Sequence, residues 1–530
     1  MVPHGHTPTS IPPMISMHNV VVNGGNFTQH INVDGQKGRS LAASQSMILI
    51  LAAAPFDILK DAVAHTAFHN SAARFDPPKC HPNTRVAVLN KILNWVQRRN
   101  RETRDLFVMW LTGAAGAGKS AIAQSFIELC LLQGLVIASF FFGKSDSTRN
   151  HAGSLIATLA YQICESVPVA KSEILSIIKS DPLILTRSLQ HQFTQLVVKP
   201  LHTACYSGNL LPSGSYRVIV IDGLDECLDR ETQQQILRII SNTARQFDLP
   251  ILFLIASRPE HDIKYVFSSR EMNGIHSRVH LDDTYSPDID IRTFLRDRFH
   301  EIRITHPFRS MIPDLWPTFD TLESLVRKSS GQFIYPATVI RFIQSIRHQP
   351  HHRLDIVMNL RPVQADSPFA QLDAIYKLIL STAEDIERVL YALSIYSLGI
   401  VRDMKFHFDI SQFMSLQPGE LEILFCDLGA LVELKTIRNQ QDMLKVLHAS
   451  LHDFLLDPMR SKEYFININN YRAQHLINIL RYVALSGCYS HTIFAEFINA
   501  SFQIMTQATS YHHSTDFLKR TMHSVKALRS

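Results

Sequence analysis

No block of five or six like charges interrupts this 530-residue chain, and its 52 basic and 47 acidic residues leave a formal net charge of only +5. Charge therefore gives no polybasic arm for nucleic acid or an anionic membrane. Cysteine is scarce as well. The seven residues, Cys80, Cys130, Cys164, Cys205, Cys227, Cys426 and Cys488, are odd in number, scattered, and never spaced C-x-x-C. That sets aside a disulfide framework and a zinc ribbon, and a reducing compartment is expected. Long apolar runs are missing too: the most membrane-like stretch, Met47 to Phe56, has about half the ~20 residues a span requires and contains Pro55. The first dozen residues lack the basic and then apolar pattern of a secretory signal. The expectation is a soluble cytoplasmic protein with no membrane partner. No self-similarity at the common repeat periods is visible.

What is present is globular. Hydrophobic residues at 46% and charged residues at 19% exclude wholesale disorder and supply a sizeable core. At roughly 150 residues per domain the length suggests three or four domains. Residues 1–40 stand apart, rich in Pro, Asn, Gln, Gly and His and almost free of charge before Asp34. They read as a low-charge tail. The sharper alternative is a signalling motif, because VVVNGGNFTQHINVDG offers two β-prone pieces of the kind that stack as cross-β. Residues 41–100 read as a helical region with a proline-rich connector, DPPKCHP, after which apolar residues recur at helical spacing from Val86 to Val96.

Residues 101–285 alternate short apolar runs with helical patterns: LFVMWL (106–111), LVIASFFF (135–142), YRVIVID (216–222), ILFLIAS (251–257) and RVHL (278–281). Several are apolar on both faces, as parallel strands covered by helices on either side require. An α/β domain with a mostly parallel five-stranded sheet is predicted here. Beyond it the patterns predict a helical domain over 286–355, ending in RHQPHHRLD (347–355), which reads as a linker. Residues 368–459 combine helices with a hairpin around Arg438–Asp442 and predict a winged-helix-like domain, and 460–530 predict a C-terminal helical segment.

One segment carries chemistry. Gly113, Ala114, Ala115, Gly116, Ala117, Gly118, Lys119 and Ser120 satisfy G-x-x-x-x-G-K-[ST] between a strand-like run and a helical one. Glycines let successive backbone N–H groups turn inward around phosphate oxygens, and the following helix N-terminus adds its dipole. Lys119 is expected to reach the outer phosphates and Ser120 to ligate Mg²⁺. About a hundred residues on, RVIVIDGLDE places Asp222 at a strand end as the metal-side acid. Asp225 and Glu226 follow as the two candidates for polarising an attacking water, and the sequence does not choose between them. The next strand ends at Ser257 and Arg258; the arginine either senses the terminal phosphate or caps a neighbouring element. No N-K-x-D guanine motif occurs, so ATP and ADP are the expected ligands.

Together VMWLTGAAGAGKSAIAQS, VIVIDGLDEC, LFLIASRPE and DIRTFLRDRF resemble NACHT domains of the STAND class of P-loop NTPases, in particular the nephrocystin-like type of fungi. Flanking segments extend the likeness to about residues 66–460. The resemblance implies a nucleotide-gated switch, closed with ADP and self-associating when ATP replaces it, with slow hydrolysis. It places Thr84 and Arg85 on the adenine side and Gly331 in a helical-domain motif. The proline usual in that motif is absent, since Gln332 and Phe333 follow, which counts against an adenine contact there. It matches His448, in VLHASLHDF, to a winged-helix histidine that touches the ADP β-phosphate; a lone histidine at that position can equally be a structural hydrogen-bonder. Family members usually carry a C-terminal repeat array that recognises the trigger. About seventy residues follow the hairpin module here without such a signature, so a short chain, a separate sensor and a truncated gene model all stay open.

Three functions follow from this reading. The first is a signalling switch of innate-immunity type, whose trigger ligand and effector protein the sequence does not name. The second is a nucleotide-stabilised interaction scaffold without turnover. The third, a nucleic-acid ATPase using the winged helix, is disfavoured by the absence of a basic stripe.

Overall fold

The computed structural model describes residues 54–72, 77–206 apart from positions 132 and 145, 216–360, 369–397, 409–437, 441–468 and a few positions up to 478. The expected tail of residues 1–40, and the C-terminal helical segment from 479 onward, lie outside the described residues.

Five strands form one sheet: β1 (Val108–Thr112), β2 (Val136–Phe141), β3 (Arg217–Asp222), β4 (Ile251–Ser257) and β5 (His276–His280). Every pairing is parallel, in the order β2-β3-β4-β1-β5. The period-two pleat divides the apolar runs between two layers. Val108, Trp110, Ile219, Ile221, Phe253 and Ile255 face one layer, packed against helices that include Leu155–Ser166 and Arg230–Gln246. Met109, Leu111, Val218, Val220, Leu252 and Leu254 face the other, under the helices Val86–Val96 and Lys119–Leu131. Burial on both faces is why these strands read as continuous apolar runs rather than as alternation.

A second core takes over from Ile291 to Ile466. It joins the helices Pro287–Thr305, Phe319–Ser329, Ile334–Ile343, Pro350–Asn359, Ala370–Leu380 and Ile386–Ser397 to an antiparallel hairpin of β6 (Val432–Ile437) and β7 (Gln441–Val446), and then to the helix Ala449–Leu455. The hairpin falls where the sequence places it. The linker expected at 347–355 does not: helix Pro350–Asn359 starts inside it. Pro350 occupies the first turn, where its missing N–H costs nothing. Arg353 is buried, with its Nη1 donating to the Phe342 carbonyl at 3.2 Å. Among the described residues no helix is long and apolar enough to cross a membrane.

Candidate functional site

Strand register builds the site. β4 lies between β1 and β3, with Thr112 opposite Ser257 and Asp222 opposite Ala256. The loop after β1, the acid at the end of β3 and the arginine after β4 therefore emerge side by side at the carboxyl edge of the sheet. In open α/β sheets that edge is where ligands bind.

The loop from Gly113 to Gly118 leads directly into helix Lys119–Leu131. Gly116 and Gly118 hold φ of 76° and 92°, the left-handed region that glycine enters without strain. Ala114 is exposed, Ala115 half-buried and Ala117 buried, while Ser120 is the second residue of the helix. The Lys119 ammonium folds back over the loop and donates to the carbonyls of Gly113 at 2.9 Å and Ala114 at 3.0 Å. Burial holds its pKa below the ordinary lysine value. The charge of Asp225 opposes that, Arg258 adds to it, and Asp222 and Glu226 pull the other way. One lysine thus lies within the field of all three predicted acids and the predicted arginine.

Asp222 ends β3 and is buried, with 3% of its surface exposed. Gly223, at φ 70°, turns the chain so that Leu224–Glu226 form a single 3-10 turn. This turn separates the two candidate acids. Asp225 faces Arg258 with both oxygens: Oδ1 accepts the Arg258 backbone N–H at 2.9 Å, and Oδ2 lies 3.2 Å from its Nε. Glu226 points elsewhere, its Oε2 accepting the backbone N–H of Lys144 at 3.0 Å. Burial first, and then the charge of Asp225, push the Glu226 carboxyl up to about 7, against the lowering effect of the Lys144 bond.

Arg258 is half-buried and bridges two carboxylates. Besides Asp225 it reaches Asp453 on helix Ala449–Leu455, where Nη1 donates to Oδ2 at 2.7 Å. Burial works against its charge, but Asp453 and then Asp225 more than offset this and hold the guanidinium above its ordinary value.

Thr84 and Arg85 are both buried beside the loop. The Thr84 hydroxyl donates to the His81 carbonyl at 2.7 Å and closes a turn. Arg85, at φ 55°, joins three elements. Its Nη2 donates to Ala117 O at 3.1 Å, its backbone N–H to Asp290 Oδ2 at 3.0 Å, and its guanidinium carbon lies 4.9 Å from the Phe333 ring centroid. Arg85 Nε and Nη1 are buried and make no hydrogen bond. Cationic donors left over next to a phosphate-type loop suit an anionic or acceptor-rich ligand. Gly331, at φ 71°, comes just before helix Ile334–Ile343, whose first N–H donates to Gly116 O at 3.3 Å. The segment thus touches the loop itself even without the motif proline.

His448 sits just before helix Ala449–Leu455. Its Nε2 is buried and makes no hydrogen bond. Burial, with the charges of Arg341 and Lys445, pushes the imidazole down to about 3, so it is neutral at physiological pH. The residue of this segment that reaches the strand ends is Asp453, which the sequence reading missed.

Residues 87–258 match the family described as "Nephrocystin 3, N-terminal", a span that runs from the helix before β1 to Arg258. That similarity covers β1, the glycine-bearing loop, β3 and β4, about a third of the chain. No curated protein matches the chain in sequence. Among solved structures it is similar to the ORC1 protein of Aeropyrum pernix in complex with DNA, at 12% identity and a TM-score of 0.33, over 74% of this chain and 95% of that one. Cdc6p of Pyrobaculum aerophilum aligns at 12% identity and a TM-score of 0.31, over 73% and 96%. PCH-2 of C. elegans aligns at 12% and 0.30, over 61% and 72%.

Proposed function

We propose that this chain is a nucleotide-operated switch. It binds ATP or ADP with Mg²⁺ on the loop 113–120, hydrolyses ATP slowly, and passes the state of the site to the C-terminal core as a change in self-association. The observation that carries this reading is the convergence of Lys119, Asp222, Asp225, Glu226 and Arg258 at three neighbouring strand ends beside a glycine-bearing loop. In this reading the loop N–H groups and Lys119 hold the phosphates, and Arg85 and Thr84 line the nucleoside side. Mg²⁺ usually takes one or two protein ligands and fills the rest of its shell with phosphate and water oxygens. Ser120 and Asp222 supply that number, and the ion would neutralise phosphate charge.

Asp225 is committed to Arg258, so Glu226 is the acid left to accept a proton from water. Burial raises its pKa to about 7, near the operating pH that suits a general base. We read residues 101–285 as the nucleotide domain, 286–355 as a helical domain and 368–459 as a winged-helix-like one, with 41–100 as a helical region and connector ahead of them. We assign the protein to the cytoplasm as a signal-transducing regulator of the STAND/NACHT type, acting with copies of itself.

The test is titration of the full chain with fluorescent ADP and ATP in Mg²⁺, with size measured in parallel and Lys119→Ala as control. The reading expects saturable binding, at least tenfold weaker in the variant, and a larger particle with ATP than with ADP. Binding that Lys119→Ala leaves unchanged would move the ligand off this loop. Binding without turnover or a change in size would leave a nucleotide-held scaffold.

A further inference from the structure

Asp453 belongs to one core and bonds to the other. Its helix neighbours Leu451, Phe454 and Leu455 are buried in the C-terminal core, while its carboxylate crosses to the sheet edge. There it meets two cations. Arg258 Nη1 donates to Oδ2 at 2.7 Å, and Lys144 Nζ lies 3.7 Å from Oδ1. The same two residues also lean on the candidate acids, Arg258 through Asp225 and Lys144 through its N–H to Glu226. The Arg258 and Asp453 side chains are 27% and 22% exposed, so the pair is dry enough to matter and open enough to be displaced.

We propose that Asp453 is the residue by which the C-terminal unit discriminates nucleoside triphosphate from diphosphate. Its carboxylate and the terminal phosphate are rival anions for Arg258 and Lys144. This rests on the nucleotide reading above and adds a regulator to that site. A diphosphate leaves Asp453 in place and the hairpin unit seated. A triphosphate has to take Arg258 from Asp453, so part of its binding energy is spent on unseating helix Ala449–Leu455. The contact sets the preference for ADP at rest, and its loss is the signal carried into the C-terminal core.

The experiment uses the full chain with Mg-ADP and a non-hydrolysable ATP analogue as probes, in wild type, Asp453→Asn, Asp453→Ala and Arg258→Gln. Asp453→Asn keeps the shape and removes the charge. Asp453→Ala covers the case in which the new amide bonds Arg258 again. Both aspartate variants are expected to raise affinity for the ATP analogue by roughly ten- to a hundredfold, the scale of a hydrogen bond to a charged group. ADP affinity should move less than about threefold. Hydrogen exchange over residues 449–455 without nucleotide should quicken in the aspartate variants and in Arg258→Gln alike. If both affinities shift together, or neither shifts while wild type binds both probes, the discriminating role of Asp453 is overturned. If wild type binds neither probe, the nucleotide reading itself fails, and the exchange data still report whether the contact seats the helix.

Discussion

Two glycines of the phosphate-type loop offer a test that separates backbone strain from packing. A Cβ added at Gly116 would lie 2.2 Å from Ile334 Cγ2 and 2.7 Å from Ile334 Cβ, at a φ of +76°. One added at Gly118, with φ +92°, would meet nothing within 4 Å. Both alanine variants pay for the left-handed backbone, about 1–2 kcal/mol each. Only Gly116→Ala also pays for overpacking, about 1–3 kcal/mol more. Rotating the isoleucine cannot relieve this clash, because its Cβ is itself too close. The start of helix Ile334–Ile343 has to back away from the loop and give up its N–H bond to Gly116 O. Hydrogen exchange within 334–343 reads that contact directly, at tenfold in rate per about 1.4 kcal/mol. Gly116→Ala is expected to speed exchange there by tenfold or more, and Gly118→Ala by much less. Equal effects of the two variants, or unchanged protection in Gly116→Ala, would refute the claim that this helix is seated on the loop.

Two further outcomes follow from the protonation states. ATP turnover is expected to rise between pH 6 and 8 as Glu226 ionises around its value of about 7, and Glu226→Gln should flatten that profile along with the rate. The same raised pKa has a stability sign. The folded state holds the proton more tightly than the unfolded chain, so the contribution is present below the ordinary value of 4.5 and lost as pH passes through about 7. Glu226→Gln should therefore gain stability over wild type at pH 8 relative to pH 5, as denaturant titrations at the two pH values would show. His448 is neutral and its Nε2 makes no hydrogen bond, so His448→Leu is expected to leave the protease-cleavage pattern around 449–455 unchanged, whereas Asp453→Asn alters it.

The sheet and its loop were legible in the sequence because burial on both faces writes itself as uninterrupted apolar runs. The strand edges fell within two residues of the expected ones, and the loop motif fixed which strand came first. Strand order was not written there. That β4 lies between β1 and β3, and so brings Arg258 to the loop, depends on its pairing with β1, a segment more than a hundred residues away. The stretch 347–355 misled because proline and clustered histidines suggest a break, while a proline in the first turn starts a helix. What holds that stretch in place lies far along the chain: Arg347 and His348 both face Asp427. Asp453 was missed for the same reason. Its partner Arg258 is 195 positions away, and no local pattern distinguishes a carboxylate that crosses between cores from one that faces solvent.

Whether this chain rests with a nucleotide on its loop is read from the identity and amount of nucleotide released when the purified full chain is denatured, with Lys119→Ala prepared alongside. Near-stoichiometric ADP is expected from wild type and little from the variant, because the loop, Lys119 and the seated C-terminal core together favour the diphosphate. Well-folded wild-type protein that releases no nucleotide, and binds none when it is added back, would contradict that expectation.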